Sequence, residues 1–150
     1  MTDSPTPEVI RLSLPSRLEL LSVLDRVALS VCERMNFDED TTSQVSMAVV
    51  EAGTNAVQHG NKRDASLRYD IEFRIHPDRL EISVHDGGKG FDAARLVPDV
   101  TSPDHLFDMR GRGLFIMRSC CDEVDFSFDG HGTTCLLVKN RPASTLAADA

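Results

Sequence analysis

The 150-residue sequence lacks three features that would each indicate a class of protein. No stretch approaches the roughly 20 consecutive apolar residues of a membrane-spanning helix. Residues 1–7 have neither the basic nor the apolar region of a signal peptide, which favours a cytoplasmic protein. There are 16 Lys and Arg against 24 Asp and Glu, so the net charge is −8 and no excess of cations is available for nucleic-acid phosphates. We therefore expect no membrane and no nucleic-acid partner, but a protein partner with basic patches.

Cysteine is also sparse and has no motif. The four residues show neither a Cys-x-x-Cys spacing nor histidine partners at the intervals of a zinc site. We expect reduced, mostly buried thiols. The length and the 41% hydrophobic content are typical of one globular domain with a substantial core. The cysteines are Cys32, Cys120, Cys121 and Cys135.

Hydrophobic periodicity divides the chain into short elements. Residues 9–14 alternate between apolar and polar, which predicts a strand, and residues 17–35 have helical periodicity. A second predicted helix follows the acidic turn at 38–40 and reaches Gly60. The candidate N-caps are Ser16 for the first helix and Thr41 or Thr42 for the second.

The second half of the chain predicts two hairpins separated by a long loop and a helix. The order of elements favours an α/β (α+β) two-layer sandwich, with a mixed, largely antiparallel sheet covered by helices. We expect a flexible N-terminus at 1–8, one domain at 9–140 and a disordered tail at 141–150. The predicted elements are a hairpin of 67–75 and 80–85, a lid-like loop at 91–110, a helix at 113–121 and a hairpin of 124–128 and 134–138.

The second predicted helix carries a polar stripe on an otherwise apolar segment. Glu51, Asn55 and His59 stand at i, i+4 and i+8, so on a helix they follow one another at intervals of about 6 Å. Polar groups in such a segment are costly without partners. A carboxylate beside a carboxamide suits a hydrated magnesium ion, which prefers oxygen ligands. The alternative is a solvated helix face that ends in a glycine cap at Gly60.

Two glycine-rich segments follow. Asp86 begins a cluster that includes Gly88 and Gly90, where the backbone can approach a ligand closely and the carboxylate can accept a hydrogen bond from an exocyclic amine. The same residues would also suit a plain turn. The second segment, 110–114, precedes a predicted helix whose free N–H groups attract phosphate. Neither segment matches a Walker phosphate loop or a dinucleotide fingerprint.

In this order and spacing, segments 51–60, 86–90 and 110–114 resemble the ATP-binding domain shared by histidine kinases, type II topoisomerases, heat-shock protein 90 and mismatch-repair proteins. The closest resemblance is to the anti-sigma-factor serine/threonine-protein kinases of the partner-switching type, within the histidine kinase-like (GHKL) ATPase superfamily. The resemblance covers about residues 9–139 and implies the Bergerat fold.

The resemblance also implies roles for individual residues. Asn55 would coordinate the magnesium ion at the phosphates of ATP, Glu51 would act as the general base, and Asp86 would bind the adenine amino group. Arginines near the phosphates would neutralise charge, as phosphoryl transfer requires. The other residues implied to bind the cofactor are His59 at the end of the first motif, Gly88 and Gly90 beside the base, Arg110, Gly111, Arg112 and Gly113 at the phosphates, and Thr134 at the adenine.

The leading hypothesis is an ATP- and Mg²⁺-dependent protein-serine/threonine kinase. It would phosphorylate an anti-sigma-factor antagonist protein and alternately sequester a sigma factor, and the resemblance implies a homodimer. The alternative is a nucleotide-gated, partner-binding regulator without kinase activity, although such a protein would have little need of Glu51 beside Asn55. A complete sensor histidine kinase is disfavoured because no histidine precedes the first motif. A detached catalytic domain that acts on another chain stays open.

Overall fold

The computed structural model describes residues 6–88 and 109–142. Alternating strands and amphipathic helices form where the periodicity predicts them, and a single-turn 3₁₀ helix (Leu18–Leu20) leads into the first α-helix. The elements are β1 (Glu8–Pro15), α1 (Leu21–Arg34), α2 (Glu39–Asn55), β2 (Arg68–Ile75), β3 (Arg79–Asp86), α3 (Met109–Cys120), β4 (Glu123–Phe128) and β5 (Thr133–Asn140).

The five described strands form one sheet in the order β1-β2-β3-β5-β4, and all four pairings are antiparallel. Because side chains alternate between the two faces of a strand, one face buries an apolar layer under the helices. Its largest fully buried members include Tyr69, Phe73 and Leu80, with Leu24 and Met117 from α1 and α3. The predicted two-layer α/β sandwich is confirmed, and all four pairings of the described strands are antiparallel.

The helix starts differ from the predicted ones. Ser16 is buried and its Oγ accepts a hydrogen bond from Asn61 Nδ2 at 2.7 Å, so it is not an N-cap. The N-cap of α2 is Asp38, whose carboxylate accepts the backbone N–H of Thr41 at 2.7 Å. Aspartate is the stronger cap because its charge also complements the helix dipole, and this explains why neither Thr41 nor Thr42 takes the position.

The end of the second helix is a π-turn. The α-helical pattern of α2 stops at Asn55 and continues as a π-turn over Ala56–Gly60, in which Asn61 N–H bonds to Ala56 C=O at 2.8 Å. The chain then reverses through Lys62 and Arg63, which have φ of 52° and 61°. The left-handed residues that end the helix are therefore these two, and not a glycine at position 60.

Helix α3 includes residues that the sequence assigned to a loop. It extends from Met109 to Cys120, so Gly111 and Gly113 lie within the helix and not ahead of it. The rest of the predicted lid-like loop, residues 91–108, lies outside the described residues. The helix packs along α2, and Lys139 Nζ joins their ends through hydrogen bonds to Gln44 Oε1 (2.6 Å) and Cys120 C=O (2.7 Å).

Residues near both ends of the described chain contact the sheet or its turns. Glu8 already pairs with Ile75 in the sheet. Arg141 donates its backbone N–H to Asp78 C=O at 2.8 Å and its Nε to Pro77 C=O at 2.9 Å, so the predicted disordered tail is wrong at its first residue. Residues 143–150 lie outside the described part. Among the described residues, no helix is long and apolar enough to cross a membrane. All four cysteines are free, and three are buried.

Candidate functional site

Asp86, the last residue of β3, is a buried carboxylate. It is only 5% exposed, and its Oδ1 accepts the backbone N–H of Gly88 at 3.0 Å. Burial raises the pKa of Asp86, while the Gly88 hydrogen bond acts in the opposite direction. A carboxylate can accept several hydrogen bonds, so the group keeps capacity for a further donor.

A small cavity of about 10 Å³ lies between α2 and the sheet at this point. Its walls are mostly apolar, and two polar groups enter it from neighbouring strands. Asp86 stands directly opposite Thr133 in the β3–β5 register, and the buried Oγ1 of Thr133 has no hydrogen-bond partner among the described residues. The lining residues are Ala52, Asn55, Gly60, Val84, Asp86, Phe126, Thr133 and Cys135.

The threonine that lines the cavity is Thr133, one position before the predicted Thr134. Thr134 lies on the opposite face of the sheet, where its Oγ1 is hydrogen-bonded to His85 Nδ1 at 2.9 Å. Because side chains alternate along a strand, Thr133 shares the inner face with Cys135 and Leu137. The structure therefore replaces Thr134 with Thr133 in the cavity. The alternation of residues along β5 could have identified Thr133, because Thr133 is in phase with the apolar Cys135 and Leu137.

Glu51 and Asn55 meet α3 at Gly113. A Cβ atom added to Gly113 would lie 2.9 Å from Glu51 Oε2 and 3.7 Å from both the Nδ2 and the Oδ1 of Asn55. The two polar side chains are half-buried along the contact of α2 with α3. Burial raises the pKa of Glu51, and the charge of Arg112 counteracts this effect. The predicted pair on α2 is thus brought together, with an arginine close by.

His59, the third residue of the predicted polar stripe, does not join the site formed by the other two. His59 is half-buried within the π-turn and does not line the cavity, whereas its neighbour Gly60 does. A π-turn has i→i+5 hydrogen bonds, so positions 55 and 59 no longer stand one α-helical turn apart. Gly60 is a site residue for which the sequence indicated only a cap.

The phosphate-binding candidates are divided between described and undescribed parts of the chain. Gly111 and the exposed Arg112 belong to the first turn of the described part of α3, and backbone N–H groups near the start of a helix can bind phosphate. The backbone of Arg110 is in the same turn. The side chain of Arg110 and all of Gly90 lie outside what is described. Among the described residues, no three His, Cys, Asp or Glu side chains form a metal-binding group, so a cation at Asn55 would need ligands from elsewhere.

Comparison with known proteins identifies the class that this fold and site define. The sequence matches the family model described as the histidine kinase-like ATPase domain over residues 14–139. The chain therefore belongs to the histidine kinase-like ATPase domain family.

Among curated proteins, the chain is similar to serine-protein kinase RsbW of Bacillus subtilis (strain 168), with 34% identity over 122 residues, which are 78% of this chain and 76% of that protein. It is 31% identical to serine-protein kinase RsbW of Bacillus cereus (strain Q1) over 137 residues, which are 88% and 84% of the two chains. These relatives confirm the protein-serine/threonine kinase family expected from the motifs.

Solved structures show the same fold. The RsbU and RsbW domains of Rv1364c from Mycobacterium tuberculosis match with a TM-score of 0.66 and 17% identity, covering 91% of this chain and 34% of that chain. The histidine kinase domain of the blue-light activated kinase EL346 from Erythrobacter litoralis matches with a TM-score of 0.51 and 17% identity, covering 97% and 68%. The histidine kinase-like fold predicted from the sequence is confirmed.

Replacing Asp86 by Asn should stabilise the nucleotide-free protein at pH 7. The folded-state pKa of Asp86 is raised above its ordinary value of 3.8, so its contribution to stability is greatest at low pH and falls as the carboxyl ionises. We expect a melting temperature a few degrees higher at pH 7, on a scale of about 2–4 °C per kcal/mol, and a difference that shrinks toward pH 4. Circular dichroism melts across this range, with exposed Asp125→Asn as control, test it. A lower melting temperature at pH 7 would contradict it.

The two adjacent threonines should respond differently to substitution. Thr133→Val removes the hydroxyl that faces the cavity, and we expect ATP affinity to fall by about tenfold, the value of one net hydrogen bond. Thr134→Val removes a hydroxyl on the opposite face, and we expect less than about a twofold change. Titration calorimetry of both variants measures the difference. The opposite ranking would show that the cavity does not hold the nucleotide.

Proposed function

We propose that the chain is an ATP-dependent protein-serine/threonine kinase that acts as an anti-sigma factor, phosphorylating a small antagonist protein and alternately sequestering a sigma factor. The observation that carries the proposal is that α2 holds both the candidate magnesium ligand and the candidate general base. Asn55 lines the cavity that contains Asp86, and Glu51 lies one turn earlier at the contact with Gly113. The relatives named serine-protein kinase support this function.

The cavity has the chemistry that adenine requires. The carboxylate of Asp86 can accept a hydrogen bond from the exocyclic amine. The hydroxyl of Thr133, which has no partner within residues 6–88 and 109–142, can pair with a ring nitrogen. Val84 and Phe126 provide apolar surface for the faces of the base. At about 10 Å³ the cavity holds about one water, so a base can enter only when the walls move apart.

The residues near Gly113 fit the phosphates and a magnesium ion. Asn55 would contribute a carboxamide oxygen to the cation, with phosphate and water as the other ligands. Arg112 and backbone N–H groups near the described start of α3 would bind the phosphates. When bound, MgATP supplies the phosphoryl group and a cation that neutralises its charge.

Glu51 is the candidate general base. Its carboxylate is half-buried, and burial raises its pKa, which makes it a better proton acceptor than an exposed glutamate. The charge of Arg112 opposes this rise in pKa because it favours the charged form of the carboxylate. Glu51 would accept the proton of the serine or threonine hydroxyl of the antagonist protein. The alternative regulator without kinase activity leaves this half-buried carboxylate beside Asn55 without a role.

Glu51→Gln should separate phosphorylation from nucleotide binding. We expect phosphate transfer to a candidate antagonist to fall by about 10²–10⁴-fold because the proton acceptor is lost, while ATP affinity changes by less than about threefold. Asn55→Ala should instead weaken Mg²⁺-dependent ATP binding itself. Calorimetry and a phosphotransfer assay on the same preparations measure both effects. If Glu51→Gln retained full phosphotransfer, Glu51 would not be the general base. If the wild type bound ATP but transferred no phosphate to any candidate antagonist, the regulator without kinase activity would be favoured.

We also propose a homodimer through the surface formed by β1 and α1. Strand β1 is at the edge of the sheet, and the groove between it and α1 has a volume of about 420 Å³. Ile10 and Val23 are 37% and 39% exposed there, and Arg26 and Arg34 stand at the rim. An exposed apolar groove next to an unpaired strand edge is suited to a second copy of the chain.

Val23→Glu should therefore shift the protein from dimer to monomer, because a charge would be buried in the apolar groove. Size-exclusion chromatography with light scattering measures the mass, and Leu67→Glu, at a similarly exposed residue that does not line the groove, is the control. A monomeric wild type at high micromolar concentration would refute the dimer.

A further inference from the structure

Gly60 has no conformational need to be glycine. It occupies the last position of the π-turn, and it is not among the described residues with positive φ, which include Lys62 and Arg63 immediately after it. The turn that follows the helix is therefore made by side-chain-bearing residues. A different constraint must account for glycine at position 60.

That constraint is steric. A Cβ atom at Gly60 would overlap Asp86, and the three nearest atoms are the Cγ, Oδ1 and Oδ2 of its carboxylate. Asp86 cannot move away freely because its side chain is short and 5% exposed, and the glycine at 132 packs on its backbone carbonyl so closely that a Cβ would overlap there too. The carboxylate therefore lies directly against the backbone of Gly60.

The π-turn brings this glycine to the carboxylate. The N–H of Asn61 bonds to the carbonyl of Ala56 instead of Val57, which adds one residue to the last turn of the helix. Gly60 then lines the cavity together with Asp86, although α2 ends at Asn55. The helix that carries Asn55 and the strand that carries Asp86 are thus in contact at one glycine.

We propose that Gly60 is a positioning residue for recognition of a 6-aminopurine: by lacking a side chain, it lets the carboxylate of Asp86 lie against the π-turn and face the cavity. The proposal rests on the nucleotide-binding function proposed above. Gly60 touches no ligand itself and acts through Asp86. A methyl group at this position displaces the carboxylate from the amine that it recognises.

Gly87 provides a matched control. It is adjacent to Asp86, and a Cβ atom there would meet only His131 C=O at 3.9 Å, an ordinary van der Waals distance. Gly87 also lacks a positive φ among the described glycines. Gly87→Ala therefore makes the same chemical change beside Asp86 without displacing the carboxylate.

The first experiment compares ATP with inosine triphosphate, which has an oxo group in place of the 6-amine, by titration calorimetry with Mg²⁺. We expect wild type and Gly87→Ala to prefer ATP by about tenfold or more, the value of a hydrogen bond to a charged acceptor. Gly60→Ala should bind ATP about tenfold more weakly, bind inosine triphosphate as the wild type does, and lose the preference. A general loss of structure would weaken both nucleotides alike.

The second experiment measures thermal unfolding without nucleotide, so it does not depend on binding. We expect Gly60→Ala to lower the melting temperature clearly in the wild-type background, and much less in Asp86→Ala, where the carboxylate that the methyl group would overlap is absent. Equal shifts in both backgrounds would overturn the steric contact. This cycle keeps the proposal testable if the single variant is too unstable for calorimetry.

The outcomes distinguish this inference from the proposed function. If the wild type prefers ATP and Gly60→Ala keeps that preference, or weakens both nucleotides equally, the positioning role is overturned and the proposed function stands. If the wild type binds neither nucleotide, the proposed function fails and the recognition role of Gly60 fails with it, even where the unfolding cycle shows the steric contact.

Discussion

A carboxylate buried between a helix end and two strands is the constraint on which the site depends. Removing a charge from water is costly, and the described protein offers Asp86 one hydrogen bond, from the N–H of Gly88. The carboxylate also lies against the backbone of Gly60, and the cavity beside it is lined by apolar side chains together with Asn55 and Thr133. Such an arrangement adds little to the stability of the empty fold. It does provide an oriented acceptor in a place from which water is nearly excluded, which is what selective hydrogen bonding requires.

Helix α2 fixes the position of the other site residues relative to the carboxylate of Asp86. Asn55 and Glu51 are one turn apart on it, and the π-turn that continues it contacts Asp86 through Gly60. Sites on rigid elements hold their geometry better than sites on loops. The helix is fixed in turn by Asp38 at its start and by the bond of Gln44 to Lys139. The spacing between base recognition and the candidate general base is therefore set by the helix itself.

The sequence predicted the sandwich because apolar and polar residues alternate along the strands, most clearly in β2, β3 and β5, which bury one face. It identified Glu51 and Asn55 because polar residues are conspicuous in an apolar segment, and Asp86 because it begins a glycine-rich cluster. It could not predict the π-turn, which differs from an α-helix by one hydrogen bond. It began the third helix at Gly113, whereas α3 already includes Met109 and Gly111, because packing against α2 overrides the low helix propensity of glycine. The choice of Thr134 over Thr133 was a one-residue error that the alternation of β5 corrects.

The two carboxylates of the site are perturbed in the same direction by the same cause, although their roles differ. Burial raises the pKa of both Asp86 and Glu51, yet in the proposed function each would act as an anion, Asp86 as a hydrogen-bond acceptor and Glu51 as a proton acceptor. Each has a separate group that opposes the effect of burial: the N–H of Gly88 for Asp86 and the charge of Arg112 for Glu51. The opposing group at Asp86 is backbone, so it is fixed with the strand. The group at Glu51 is an exposed side chain that phosphates would also attract, so nucleotide binding would draw Arg112 away from the carboxylate and make Glu51 a stronger base.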